Sequence, residues 1–332
     1  MKILFFSAKP YDRQFFDAYN KPYGFEIEYL ETHLGPHIVN AVDGQEAVCV
    51  FVNDKVNAEV ISVLHAKGVK IIALRCAGFN NVDLDAARAH GMRVCRVPEY
   101  SPEAVAEHTV AMLLTLIRKT HKAYNRVREQ NFSLNGLLGF NLHGKTVGVV
   151  GTGKIGGAFC RIINGFGCRV LAFDLFPNPG LQSAGIEYGT LEEVLSASDV
   201  VSLHCPLNPD THYLINEKTL AMMKPGVTLI NTSRGGLVNT AHAIEALKNK
   251  HLANLAIDVY EQEEKLFFKD LSESIIEDDT IQRLMSFPNV LVTAHQAFFT
   301  EEALTEIAQV TLRSIDSLLR GKLPAEQNAL LV

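Results

Sequence analysis

Apolar residues in this chain fall into short runs of four or five, separated by stretches in which they recur at every third or fourth position. Short β-branched runs bounded by turn residues read as buried strands, and the wider spacing reads as amphipathic helix. The first third therefore predicts strands over 2–6, 47–52, 70–74 and 93–97, with helices over 13–19, 58–66 and 84–89 between them. Gly68 and Gly91 close two of those helices, and Pro98 stops the fourth strand. Repeated strand–helix units imply a mostly parallel sheet covered by helices on both faces.

At Ser101-Pro102-Glu103 the pattern lengthens. Serine is a good N-cap, proline fits the first helical position, and an acid suits the first turn. Val105, Val110, Leu113, Leu114 and Ile117 share one face of the predicted helix. The basic segment 118–128 that follows reads as a solvated face. A helix this long can cross from one domain to another, and the boundary is placed near its start. Further strands are predicted over 146–150, 169–173, 199–204, 228–232, 255–257 and 290–293, with a helix through 243–247 and a capping box at Thr190–Glu193. Residues 261–289, rich in acids, read as a long irregular lid or interaction surface. Thr300 caps a last helix ended by Gly321, which is expected to return to the N-terminal domain.

One stretch carries more than fold information. In residues 146–174, TVGVVGTGKIGGAFCRIINGFGCRVLAFD, a strand runs into Gly151-Thr152-Gly153-Lys154-Ile155-Gly156 and then into a helix, a second strand and Asp174. Gly151 permits the tight turn, Gly153 lets a pyrophosphate approach the backbone, and Gly156 lets the helix pack close to the sheet. The free amides and positive end of the helix dipole would face the phosphates. Asp174 is placed to accept hydrogen bonds from an adenosine ribose and to disfavour a 2′-phosphate, so the cofactor is read as NAD. No such fingerprint follows the first strand, so the N-terminal domain is not the nucleotide site. The expected architecture is α/β with two domains, each a doubly wound, mostly parallel sheet. A Rossmann-type NAD domain is placed over 101–298, and a flavodoxin-like substrate domain over 1–100 and 299–332.

Composition narrows the setting. The 332 residues suffice for two domains, and 47% are apolar, enough for full cores. A formal net charge of -6 argues against nucleic acid or an anionic membrane surface as partner. The opening apolar run is too short for a secretory leader, and no run approaches a membrane span. The six cysteines form no CxxC pair and no metal-ligand spacing; they read as buried thiols in a reducing compartment, with the cytoplasm as location and no metal expected.

Three residues just past predicted strand ends suggest chemistry: Arg234, Glu263 and His295. Arginine offers a planar fork for a carboxylate or a polarised carbonyl. Histidine is suited to exchange a proton near neutral pH, and a carboxylate beside it would orient it. With a nicotinamide these groups suit hydride transfer to a 2-oxo acid. The bland readings are a surface ion pair for the arginine, one acid among many for Glu263, and a structural role for a lone histidine, which is the role assigned to His204.

The chain resembles the D-isomer-specific 2-hydroxyacid dehydrogenases along essentially its whole length. The matching stretches are Ala77–Asp83 (AGFNNVD), Val97–His108 (VPEYSPEAVAEH), Gly151–Gly156, Leu203–Leu207 (LHCPL), Asn231–Gly235 (NTSRG), Asp258–Glu263 (DVYEQE) and His295–Phe298 (HQAF). Leu266-Phe267-Phe268, Phe298-Phe299 and the turn at 76–81 resemble the fermentative, lactate-type branch. The resemblance implies that Arg234 binds the substrate carboxylate and polarises its C2 carbonyl, that His295 is the acid/base, and that Glu263 pairs with it. It also implies that Gly78 and Phe79 hold the carboxylate through their amides, while Phe51, Tyr100 and Phe299 wall the pocket for the substrate methyl. Phe51 stands where some lactate enzymes carry tyrosine. Thr152, Lys154, Ile155, Asp174, Cys205, Pro206, Thr232, Ser233 and Asp258 would line the NAD site. The implied small-molecule pair is pyruvate and D-lactate, and the implied assembly a homodimer or homotetramer, which the apolar helix after Ser101 also suggests. Rival readings are a family member acting on a bulkier 2-oxo acid and, in another class, an NAD(H)-sensing module like the C-terminal-binding corepressors. Phosphoglycerate and formate dehydrogenases fit less well, the former because no regulatory domain follows and the latter because Gln296-Ala297-Phe298 follows the histidine.

Overall fold

The computed structural model describes residues 1–332. The chain forms two compact units, Met1–Ser101 with Phe299–Val332, and Pro102–Phe298. In the first unit the strands are β1 (Lys2–Phe5), β2 (Glu26–Tyr29), β3 (Ala47–Val50), β4 (Ile71–Leu74) and β5 (Arg93–Arg96). All pair in parallel, in the order β2-β1-β3-β4-β5, the flavodoxin-like order. β3 and β4 are buried at every position, as strands covered on both faces must be. Asn57 and Asp83 cap the helices Ala58–Ala66 and Leu84–Ala89 through the amides of Val60 and Ala86. The last helix, Glu301–Leu319, is capped by Thr300 and packs on the helix Pro10–Asn20 and on β4 and β5.

The second unit contains β6 (Thr146–Val150), β7 (Arg169–Phe173), β8 (Glu187–Tyr188), β9 (Val200–Leu203), β10 (Val227–Asn231), β11 (Leu252–Ile257) and β12 (Val290–Val292). The seven-stranded parallel sheet runs β12-β11-β10-β9-β6-β7-β8, so strand order reverses between β6 and β9, beside the glycine turn. That is the Rossmann arrangement, with its ligand crevice at the carboxyl ends of the strands.

Several elements depart from the expectations. β2, Glu-Ile-Glu-Tyr, was not anticipated: it is a sheet edge with alternate residues exposed, and four residues are too few to declare a period. The helix Pro102–Arg118 breaks at Lys119, which adopts φ 53°, before a second helix, Thr120–Arg128. The stretch 261–289 is not irregular throughout. Asp278 caps a helix, Asp279–Ser286, through the amides of Thr280 and Ile281, and Tyr260 Oη donates to the same carboxylate at 2.9 Å. The apolar face of Pro102–Arg118 is buried inside its own unit, against the helix Lys154–Gly165 and the sheet.

Candidate active site

The glycine turn lies between β6 and the helix Lys154–Gly165. Gly151 has φ 93°, and a Cβ there would stand 2.6 Å from the Cys205 amide nitrogen. A Cβ on Gly156 would stand 2.0 Å from the Gly151 carbonyl oxygen, so helix and turn touch backbone to backbone. A Cβ on Gly153, by contrast, meets nothing within 4 Å. Gly153 is also the helix N-cap and supplies no side-chain cap, so the first-turn amides keep the polarity that favours an anion. Closed at Gly151 and Gly156 and open at Gly153, the turn fits a pyrophosphate. Asp174, just past β7, accepts from the Thr152 amide at 2.6 Å and its hydroxyl at 3.1 Å, and from the Phe176 amide at 2.8 Å. Its carboxylate thus ties the turn to the neighbouring strand as well as placing a negative charge there. Tyr188 extends this link by donating to Thr152 Oγ1 at 2.9 Å. The residues that follow Asp174, Leu175 and Phe176, are exposed and carry no positive charge for a 2′-phosphate.

The remaining expected cofactor residues divide. Lys154 and Pro206 are exposed, Ile155 and Ser233 half-buried. Cys205 is buried under the glycine turn, which pushes its thiol up to about 11, and its carbonyl accepts from Ser233 Oγ at 2.7 Å. Thr232 is buried, its hydroxyl 2.8 Å from that of Thr109 on the long helix. Asp258 is fully buried, and its carboxylate is taken up within the protein. It accepts from Thr293 Oγ1 at 2.5 Å and from the amides of Gln296 at 2.9 Å and Ala297 at 3.0 Å. Burial alone would raise this carboxyl, but hydrogen bonds from His108, Thr293 and the two amides hold it below the usual range. The Asp258 carboxylate thus holds the segment that carries His295.

That segment is strained. His295 has φ 52°, uncommon for a residue with a Cβ. The conformation is held because the His295 amide donates to the Asp258 carbonyl at 2.7 Å while the next two amides bind the Asp258 carboxylate. So aimed, His295 Nδ1 lies 2.7 Å from Glu263 Oε1. Glu263 is fixed in turn by the Tyr260 amide, which donates to its other oxygen at 3.0 Å. Both side chains are about four-fifths buried, at 20% and 19% exposure, enough to limit competition from water while leaving a face open.

Arg234 follows β10, the Asp258–Glu263 segment follows β11, and His295 follows β12; the three strands are neighbours. Arg234 Nη1 donates to the Ser233 carbonyl at 2.7 Å, and its own carbonyl accepts from Asn231 Nδ2 at 2.8 Å. Beyond it, Gly235 packs on the next segment so closely that a Cβ would stand 2.2 Å from the Tyr260 carbonyl carbon. Glu261 clamps the same junction, accepting from the amide and hydroxyl of Thr240, both at 2.7 Å. The loop bearing Arg234 and the segment bearing Glu263 are therefore one backbone-packed unit.

In the first unit the expected substrate residues lie beyond its strands. Phe51 follows β3. Gly78 and Phe79 follow β4, and neither amide has a backbone acceptor. Their loop is pinned by Arg96, which donates to the Ala77 carbonyl at 2.8 Å and lies over the Phe79 ring. Tyr100 is half-buried, and Phe299 is 51% exposed, its ring edge-on to Tyr11 at 4.8 Å.

The sequence reading missed Phe268 as a site residue. Its ring centroid lies 6.0 Å from that of His295, and its φ of 64° is one no local pattern announces. The positioning parts of Thr293 and Glu261 were missed as well. His204 Nε2 bonds Ser202 Oγ at 2.9 Å, and its ring lies against Phe159. Burial pushes its imidazole down to about 3, so it is neutral at physiological pH, and nothing links it to the acid–base pair.

A Rossmann-ordered sheet that sets a histidine–carboxylate pair and an arginine along the same edge as a nucleotide turn is the plan of a dinucleotide-dependent dehydrogenase. Residues 110–297 match the family model described as D-isomer specific 2-hydroxyacid dehydrogenase, NAD binding domain, and the chain belongs to that family. It is 54% identical over 316 residues to the 2-hydroxyacid dehydrogenase homolog 1 of Schizosaccharomyces pombe, covering 95% of each chain. It is 51% identical over 322 residues to the D-lactate dehydrogenase of Escherichia coli, covering 97% of this chain and 98% of the relative. The apo structure of D-lactate dehydrogenase from Escherichia coli superposes with a TM-score of 0.92 at 48% identity over the whole of both chains. The protein is thus an NAD-dependent oxidoreductase acting on a small 2-hydroxy or 2-oxo acid. No helix is long and apolar enough to cross a membrane.

Proposed function

We propose that this protein is a D-lactate dehydrogenase that interconverts pyruvate and D-lactate. The observation that carries the reading is the 2.7 Å bond between His295 Nδ1 and Glu263 Oε1, held on neighbouring strand ends of an NAD-binding domain. When bound, NADH supplies the hydride to the C2 carbon. The chain supplies the rest. Arg234 grips the substrate carboxylate with its planar fork and polarises the C2 carbonyl. The family resemblance further implies that the amides of Gly78 and Phe79 hold the substrate carboxylate and that Phe51, Tyr100 and Phe299 contact its methyl group. Because Nδ1 of His295 faces Glu263, Nε2 is the nitrogen left for substrate. In reduction Nε2–H gives its proton to the C2 oxygen and the ring becomes neutral; in oxidation Nε2 takes the hydroxyl proton back. Glu263 stays ionised and holds ring and tautomer.

The test is NADH oxidation with pyruvate beside hydroxypyruvate, glyoxylate, 2-oxobutyrate and phenylpyruvate, with chiral analysis of the product. Fast turnover on pyruvate giving D-lactate is expected. Preference for a larger acid would keep the chemistry and overturn the pocket; tight NADH binding without turnover would favour a sensing module.

Gly151–Gly156 would hold the pyrophosphate and Asp174 the adenosine ribose. Asp174→Ala is expected to weaken NADH by about 10-fold or more relative to NADPH, the scale of a lost hydrogen bond to a charged group. Loosening of the Thr152 turn penalises both cofactors, so the ratio isolates the ribose contact. Equal losses, read by fluorescence titration, would remove that role.

The protein is placed in the cytoplasm, where six free, buried thiols are at home. It is also proposed to be a homodimer or homotetramer. The surface suited to a second copy is the segment 124–138, where Tyr124, Val127, Phe132, Leu134 and Leu138 are exposed, the last at 88%. Light scattering at micromolar concentration should give at least twice the monomer mass, reduced to one by Leu134→Asp with Leu138→Asp. A wild-type monomer would exclude the assembly.

A further inference from the structure

The largest fully buried side chain in the protein is that of Arg75, at the end of β4 in the first unit. Its Nε lies 3.1 Å from Asp12 Oδ1 and its Nη2 3.3 Å from Oδ2, while Nη1 and Nη2 donate to the carbonyls of Phe6 and Ser7 at 3.1 and 2.7 Å. Burial works against the charge, but Asp12, Cys49, Asp54 and Tyr11 outweigh it and hold the guanidinium above its usual pKa. A buried ion pair is weak evidence for stability, since apolar residues of the same volume commonly serve as well. What distinguishes this one is what it touches. The guanidinium carbon lies 4.5 Å from the ring centroid of Phe5 and 4.6 Å from that of Phe51.

Phe51 is gripped by its backbone too. Its amide donates to Asp54 Oδ2 at 2.5 Å, and its carbonyl accepts from Asn81 Nδ2 at 2.9 Å. Asp54 is itself buried and fastened, accepting from Ser7 Oγ at 2.6 Å and the Leu34 amide at 2.7 Å. Asn81 also donates to the Asp54 carbonyl at 2.8 Å. Ring, amide and carbonyl of a single residue past a strand end are thus each held by a separate polar group. The backbone bonds fix where the residue sits, and the guanidinium over the ring face adds a directional hold on the side chain that apolar neighbours alone would not supply.

We propose that Arg75, with Asp54 and Asn81, is a specificity-determining positioning group: by clamping Phe51 it sets the room available to the substituent on C2 of the substrate, and so discriminates pyruvate from longer 2-oxo acids. This rests on Phe51 being part of the substrate wall. Arg75 is a positioning residue and takes no part in proton or hydride transfer.

The test compares Phe51→Ala, Arg75→Lys and Asn81→Ala, each checked for folding by circular dichroism and thermal melting, for kcat and KM with pyruvate, 2-oxobutyrate and 2-oxoisocaproate. Arg75→Lys keeps the charge and loses the planar stack; Asn81→Ala leaves every charge in place and serves if the arginine variant does not fold. Phe51→Ala should raise the kcat/KM ratio of 2-oxobutyrate to pyruvate by about 10-fold, the scale of one methylene in a shaped pocket. Arg75→Lys and Asn81→Ala should move the ratio in the same direction, mainly through KM for pyruvate, with NADH affinity unchanged. A merely structural role would lower the melting temperature and leave the ratio at its wild-type value. If Phe51→Ala shifts the ratio while the folded Arg75 and Asn81 variants do not, the positioning role is overturned. If Phe51→Ala itself leaves the ratio unchanged, the wall assignment fails and the proposal with it.

Discussion

His295→Ala is expected to lower turnover with pyruvate about 10²–10⁴-fold, the usual worth of a positioned acid or base, while NADH affinity changes little. The histidine follows β12 and the glycine turn follows β6, with β11, β10 and β9 between them in the sheet, so the histidine is not part of the pyrophosphate turn. Stability should fall modestly, because alanine keeps the Cβ that is strained at φ 52° and leaves the mostly buried Glu263 carboxylate without its partner. Glu263→Gln should fall between wild type and His295→Ala: an amide oxygen can still accept from Nδ1, but the negative charge that steadies the protonated ring is gone. The measurement is steady-state turnover with each variant alongside NADH titration by fluorescence. Wild-type turnover in His295→Ala would remove this residue from the mechanism.

Gly235→Ala is expected to cost about 10²-fold in kcat/KM, although it touches no reacting group. The added methyl would stand 2.2 Å from the Tyr260 carbonyl carbon and 2.5 Å from the Glu261 amide nitrogen. These are backbone atoms, so relief requires the Arg234 loop and the segment carrying Glu263 to move apart. A misplacement of about 1 Å at a reacting geometry costs on that scale, and the overpacking itself costs about 1–3 kcal/mol of stability. Gly236→Ala is the control, because its methyl would meet only side-chain atoms, two Leu207 methyl carbons, the nearer at 3.1 Å, and His212 Cδ2 at 3.6 Å, which can swing aside. Kinetics and thermal melting of both variants decide the matter; equal activity of the two would show that backbone contact between the loops does not position the site.

Much of the architecture was legible because its signals are local. The helices Ala58–Ala66 and Leu84–Ala89 have the bounds their spacing and closing glycines predict. The strand–turn–helix around Gly151 follows from steric demands written into three glycines. Where the pattern failed, the deciding contact was remote or the signal diluted. The helix Asp279–Ser286 buries only Ile281 and Leu284, and its cap lies in a run of acids that looks like a solvated loop. The apolar face of the long helix suggests an interface, but whether another helix of the same chain covers that face is not written in it.

By itself, the sequence determined the doubly wound α/β plan with its two parallel sheets, the nucleotide turn with its carboxylate, and the residue types of an acid–base site, since these depend on periodicity, glycine sterics and short spacings. Only the tertiary structure decided that Asp258 faces inward to hold the histidine segment, that His295 and Phe268 adopt positive φ, and that Arg75 lies against Phe51. Those outcomes depend on which groups separated by tens of residues meet in a buried, low-dielectric interior. There an unpaired polar group is costly, so the partners available in space, and not the neighbours along the chain, choose the conformation.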